Sequence, residues 1–195
     1  MTQRKKFYQT PLRGINMKNK LTDIIDKIKY QIMLWNGQEE YNILADIYKS
    51  YAKLNIYKGK TVLDIGADFG LSPFFFIQTG ATKVIAYSPL MQKKWLKHPN
   101  IEWHRGYWQG EYIKADILKI DCEGCEYTHP VEWYMENYNE ILYAIHYDTI
   151  HSYEYYKYIN LLENNGAILL LDYGAKELLY YWKRNMNKKL SDYND

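Results

Sequence analysis

Asp64, Gly66, Asp68 and Gly70 occupy alternate positions in Val62-Leu-Asp-Ile-Gly-Ala-Asp-Phe-Gly70. Glycines let a chain turn tightly and let a ligand approach where a Cβ would clash. Acids beside such a turn attract a positively charged ligand. A pyrophosphate would instead ask for bare N–H groups at a helix start, and the spacing is not the dinucleotide pattern Gly-x-Gly-x-x-Gly. A second set of acids closes the segment Asp116-Ile-Leu-Lys-Ile-Asp-Cys-Glu-Gly-Cys-Glu126. There Asp121, Glu123 and Glu126 surround Gly124. Carboxylates can accept a proton from a hydroxyl nucleophile, and so can a histidine, whose ordinary pKa lies near 6.5. His146 ends a third apolar run, Ile141-Leu-Tyr-Ala-Ile-His146. The chemistry these residues suggest is the binding of a cation next to a proton transfer.

Structural roles account for part of this pattern. Carboxylates at a helix N-terminus are favourable by about 0.3–1 kcal/mol, which explains Glu123 or Glu126 better than Asp121. His146 and Asp148 would share one face of a strand, and with His151 nearby that spacing can hold a metal. A histidine at a strand end is also often a hydrogen-bonded structural group, and no metal is assigned here. His98, His104 and His129 read as loop or surface residues.

The elements that must position these residues alternate. Strands are predicted at Thr61–Ile65, Lys83–Tyr87, Ile101–His104, Ile117–Ile120, Leu142–His146 and Ala167–Asp172, and helices near Ser72–Thr79, Met91–Leu96, Val131–Asn137 and Tyr153–Glu163. Such alternation predicts a parallel sheet with right-handed crossovers. In an open sheet of this kind ligands sit outside the carboxyl ends of the strands. The acids of both segments therefore meet at one edge. S-adenosylmethionine carries an ammonium and a sulfonium, so it meets the demand for a cationic ligand.

The runs Val62-Leu-Asp-Ile-Gly-Ala-Asp-Phe-Gly70 and Leu118-Lys-Ile-Asp-Cys-Glu-Gly-Cys-Glu126 together resemble the FkbM-type S-adenosylmethionine-dependent methyltransferases. Ile141–His146 and Leu161-Leu-Glu-Asn-Asn-Gly166 match that family's next strand and its helix-to-strand turn. The resemblance covers roughly Gly59 to Leu171. It implies a Rossmann-like methyltransferase fold: a mostly parallel seven-stranded sheet with helices on both faces, Leu178 to Lys183 being an antiparallel last strand. It also implies S-adenosylmethionine as cofactor and O-methyl transfer. On that reading Asp64, Gly66, Ala67, Asp68, Gly70, Ser88 and Asp121 bind the cofactor, and Asp121, Glu123 and His146 are the catalytic candidates. One position departs from the pattern. An acid at the end of the second strand usually holds the ribose, and the family has Glu-Pro there. This chain has Tyr87-Ser88-Pro89, with no Asp or Glu from Leu71 to Ile101. Family members also usually have Asn where this chain has Asp68.

Composition sets the frame. The 195 residues carry a net charge of +2, too little to demand a polyanionic partner. They suffice for one catalytic domain, read as 59–195, preceded by capping helices in 21–58 and a basic arm in 1–20. That arm is a solvated tail or a docking segment for nucleic acid. Its start lacks the apolar stretch of a secretory signal, and no run is long enough to span a bilayer. The expected setting is cytoplasmic. The 22 tyrosines, with many Lys, Asn and Ile, suggest AT-rich coding and an archaeal or viral source. Cys122 and Cys125 make no disulfide framework and are expected as small, partly buried side chains. The Asn/Asp-Pro-Pro-Tyr motif of amino-methylating nucleic-acid enzymes is missing after the fourth strand. A small hydroxylated substrate such as a sugar is the leading acceptor. The alternatives are an RNA methyltransferase, and a binding module that has lost the cofactor.

Overall fold

Alternate residues of the first strand go to opposite sides of the sheet, as the period of two in a strand requires. Val62 packs with Phe75, Phe76, Ala86, Ile117 and Leu142, whereas Leu63 and Ile65 pack with Leu118, Ile120, Tyr134, Tyr143, Tyr158 and Leu162. Two apolar cores result, one on each face. The computed structural model describes Ile47 and residues 50–184 except 148 and 175. The basic arm, most of the capping helices read in 21–58, and Asp148 lie outside the described residues.

Seven strands form one sheet: β1 (Thr61–Ile65), β2 (Lys83–Ser88), β3 (Ile101–Arg105), β4 (Ile117–Ile120), β5 (Glu140–His146), β6 (Ile168–Asp172) and β7 (Glu177–Lys183). Their spatial order is β3-β2-β1-β4-β5-β7-β6. The pairings β1–β2, β2–β3, β1–β4 and β4–β5 are parallel, and β7 runs antiparallel to both neighbours. This is a Rossmann-like arrangement, and the expected antiparallel last strand is present. The strand order reverses between β1 and β4. A crevice opens at that switch point in doubly wound sheets.

Helix α1 (Leu71–Gln78) covers the first face with Phe75 and Phe76, while α2 (Val131–Asn137) and α3 (Ser152–Asn164) cover the second with Tyr134, Tyr155, Tyr158 and Leu162. One predicted element differs. Met91–Leu96 is not a helix; only Lys94–Leu96 makes a single 3-10 turn. Leu96 is fully buried there while Met91 faces solvent, so the segment anchors through one residue and lacks the apolar stripe that holds a short helix in place.

Candidate functional site

The turn after β1 and the turn after β4 lie against each other. Gly66 has φ +81°, and a Cβ there would lie 1.6 Å from the Asp121 carbonyl oxygen. The amides of Gly66 and Ala67 both donate to the Tyr87 carbonyl, and the Gly70 amide donates to the Ala67 carbonyl. These turn amides are spent on the fold.

A cleft of about 370 Å³ opens outside the carboxyl ends of β1, β2 and β4, within the usual span of small-molecule sites, about 300–1,000 Å³. Gly66, Asp68, Ser88, Asp121 and Glu123 line it, together with Tyr87, Tyr107 and Trp108. Among the described residues only Asp68 (φ +46°) and Glu123 (φ +51°) are non-glycine residues with positive φ. Such conformations are uncommon outside glycine, and here both residues line one cleft. Asp68 is exposed as a residue, but the chain around its carboxyl strips away enough hydration to raise it to about 6; Asp121, Asp64 and Glu123 add to the shift and Lys119 opposes it.

Asp64, Ala67, Gly70 and His146 are not cleft-lining residues. Asp64 is fully buried, accepts from the Ser72 hydroxyl at 2.7 Å, and lies 3.0 Å from Lys119 Nζ. Burial pushes its carboxyl up, with Lys119 and Ser72 pulling the other way. Lys119, only 2% exposed, also donates to the Gly66 carbonyl at 2.6 Å and approaches Asp121 Oδ2 at 3.5 Å. Burial works against its charge, but Asp64, Asp121 and Asp68 outweigh that and hold the ammonium above its ordinary range. Asp64 thus serves an internal cation. Lys119 was not singled out from the sequence. Its signal was present: one charge inside the strand Ile117-Leu-Lys-Ile120, all four of whose residues are buried.

Ser88 lines the cleft, but its hydroxyl oxygen accepts from the Leu90 amide at 3.1 Å. Cys122 and Cys125 form a disulfide in the cleft wall rather than two separate thiols.

His146 differs from expectation. Its Nδ1 lies 2.9 Å from Oε1 of the fully buried Glu126, and its Nε2 lies 3.6 Å from Asp121 Oδ1 and 3.9 Å from Glu177 Oε2. Burial lowers its pKa, but Glu126, Asp121 and Glu177 raise it further, to about 9. The imidazole carries a proton at neutral pH and is not the free base that its ordinary value near 6.5 suggested. A folded-state value above the unfolded one means that His146 contributes stability fully below about pH 6.5, a contribution lost as the pH rises through about 9. In chelator-treated protein, proton NMR should show one histidine titrating near pH 9. A set of histidines all titrating near 6.5 would contradict the ion-pair cluster. Glu126 positions this group: Oε1 also accepts the His146 amide, and Oε2 accepts the Gly124 amide at 2.7 Å.

No known family model matches the chain. It is 38% identical over 97 residues to Uncharacterized protein 65 of Sulfolobus islandicus filamentous virus, covering 46% of this chain and 61% of that protein. It is 32% identical over 108 residues to Uncharacterized protein 158B of Sulfolobus islandicus rod-shaped virus 1, covering 50% and 66%. The matches thus span less than two thirds of either relative. Among solved structures, the Burkholderia thailandensis 1,6-didemethyltoxoflavin-N1-methyltransferase with S-adenosylhomocysteine is 13% identical with a TM-score of 0.48, covering 90% of this chain and 92% of that one. Aeropyrum pernix fibrillarin with natively bound S-adenosyl-L-methionine is 15% identical with a TM-score of 0.46, covering 70% and 73%. Likenesses this distant bear on no more than the fold. No helix among the described residues is long and apolar enough to cross a membrane.

Proposed function

We propose that this chain is an FkbM-type methyltransferase that moves a methyl group from S-adenosylmethionine to a hydroxyl of a sugar or another small molecule. One observation carries the reading. The cleft at the β1/β4 switch point is lined by three acidic residues, Asp68, Asp121 and Glu123, while the Gly66, Ala67 and Gly70 amides are already bonded to carbonyls of the chain. That donor set fits the cationic end of the cofactor. The fit at the ribose is poorer, because Ser88 offers one hydroxyl that already holds the Leu90 amide.

When bound, S-adenosylmethionine supplies an electrophilic methyl on a sulfonium. The chain's own part is alignment and proton removal. Aligning the reacting groups supplies up to about 7–11 kcal/mol. Asp68, raised to about 6, is better tuned to accept a hydroxyl proton than a carboxylate of ordinary pKa. Glu123 is a second acceptor in the same cleft. His146, held charged by its three carboxylates, steadies Asp121.

Calorimetric titration tests the reading. S-adenosylmethionine and S-adenosylhomocysteine should each bind with one-to-one stoichiometry. Ser88→Glu should tighten binding about tenfold, roughly one charge-assisted hydrogen bond to the ribose. A weakened Ser88→Glu variant would mean the ribose lies elsewhere in the cleft. No heat with either compound would overturn the proposal. A panel of sugars, small hydroxylated metabolites and RNA, scored by labelled methyl, then identifies the acceptor. Transfer to RNA alone would replace the small-molecule assignment.

A further inference from the structure

We propose that Asp121, His146 and Glu177 bind one divalent transition-metal ion beside the cleft. Three adjacent strands each bring one donor to this point. Asp121 follows β4, His146 ends β5, and Glu177 begins β7 directly opposite His146 in the antiparallel register. The donor atoms are His146 Nε2, Asp121 Oδ1 and Glu177 Oε2, the ion displacing to solvent the Nε2 proton that the imidazole carries without it. Nε2 lies 3.6 and 3.9 Å from the two oxygens, and all three atoms fall within 4.8 Å of one another. Metal–donor distances of about 2.0–2.2 Å separate two ligands of a tetrahedral centre by about 3.4 Å. Nε2 therefore stands within about half an ångström of that spacing from each oxygen, and the two oxygens, no more than 4.8 Å apart, close on an ion by side-chain rotation. The side chains are half-buried, at 29%, 18% and 27% exposure for Asp121, His146 and Glu177. An ion can reach them and still be shielded from bulk water.

The surroundings suit a metal ligand set. Nδ1 of His146 faces the buried Glu126 carboxylate, which also accepts the His146 amide. A histidine that ligates a metal is typically fixed in this way by a carboxylate on its other nitrogen. Asp121 divides its two oxygens. Oδ2 accepts from the Tyr51 hydroxyl at 3.1 Å and faces Lys119, leaving Oδ1 turned to His146. One imidazole and two carboxylates suit Mn²⁺, Fe²⁺, Co²⁺ or Zn²⁺ better than Mg²⁺ or Ca²⁺, which prefer all-oxygen sites. Three protein donors leave further positions open, as in catalytic rather than structural centres. Asp121 also lines the cleft, so those positions can take a hydroxyl or oxyanion of a ligand held there. The assignment does not depend on methyl transfer.

Co²⁺ titrated into the chelator-treated full chain is the direct test, because its visible absorption reports the ligand set. One equivalent should bind. Glu177→Gln should weaken binding at least tenfold, and Glu126→Gln by about 10–100-fold, the usual effect of losing the outer carboxylate. His146→Ala should abolish it. The Cys122→Ser/Cys125→Ser variant should bind as the wild type does, which separates this site from the neighbouring sulfurs. Binding unchanged by both Glu177→Gln and His146→Ala, or no binding at all, overturns the proposal. If His146→Ala fails to fold, as judged by circular dichroism, Glu177→Gln decides the matter. Neither result depends on whether S-adenosylmethionine binds.

Discussion

Lys119→Met should cost about 3–5 kcal/mol of folding stability, the usual effect of breaking a buried pair by removing one partner. The reason is geometric. Asp64 and Lys119 stand opposite each other on β1 and β4, and both are almost wholly removed from solvent. Methionine fills the space of the lysine stem but leaves the Asp64 carboxylate with the Ser72 hydroxyl as its one donor among the described residues. A buried carboxylate in that position gives up its charge instead of keeping it uncompensated. The variant's Asp64 pKa should therefore rise further above its unfolded value. A raised folded-state value in an acid destabilises at neutral pH and relaxes as the group protonates. The stability gap between wild type and variant should narrow as pH falls.

The double variant Lys119→Met/Asp64→Asn separates the possible causes. Asparagine keeps an acceptor for Ser72 and removes the charge. If the Asp64–Lys119 pair carries the cost, urea unfolding should show most of the loss recovered. If the double variant stays as unstable as Lys119→Met, the lysine matters through its other contacts, the Gly66 carbonyl and Asp121. If Lys119→Met loses less than 1 kcal/mol, about the value of an exposed pair, the buried cation is not what holds the two turns together.

The same pair shows what could be read in the sequence and what could not. β1 and β4 were legible because apolar runs ended in glycine and acid. The meeting of Gly66 with Asp121 followed from the rule that ligands gather at the carboxyl ends of parallel strands. The partner of Asp64 was not legible, because pairing it with Lys119 needs the register of two strands separated by β2 and β3 in the chain. His146 was read as a base for a related reason. Its charge state is set by Glu126, Asp121 and Glu177, which come from three separate places in the sequence. Glu177 carried no local signal; it became a neighbour only because β7 returns antiparallel against β5. Met91–Leu96 failed on local grounds, since a few apolar residues without a stripe do not hold a helix.

Gly66→Ala should be the most damaging small substitution in the cleft, costing about 2–5 kcal/mol. Two effects add. Left-handed backbone costs a non-glycine residue about 1–2 kcal/mol, and Gly66 has φ +81°. Overpacking typically adds about 1–3 kcal/mol. Here the clash is with backbone, since the new Cβ would lie 1.6 Å from the Asp121 carbonyl oxygen. No side-chain rotation relieves it, so β1 and β4 must part. Gly59→Ala supplies the control. Gly59 has nearly the same φ, +77°, with nothing within 4 Å of the added carbon, so it should show the conformational cost alone. The excess of Gly66→Ala over Gly59→Ala in urea unfolding measures the contact between the two turns. Equal losses would mean that the turns are not pressed together. An excess of about 2 kcal/mol or more would mean that this glycine is required by the neighbouring strand rather than by a ligand. Because Asp121 moves with that carbonyl, and Lys119 bonds Gly66 and approaches Asp121, the substitution should also weaken whatever the cleft binds. A glycine-rich turn in such a sheet can therefore be a packing requirement first and a binding feature only as a consequence.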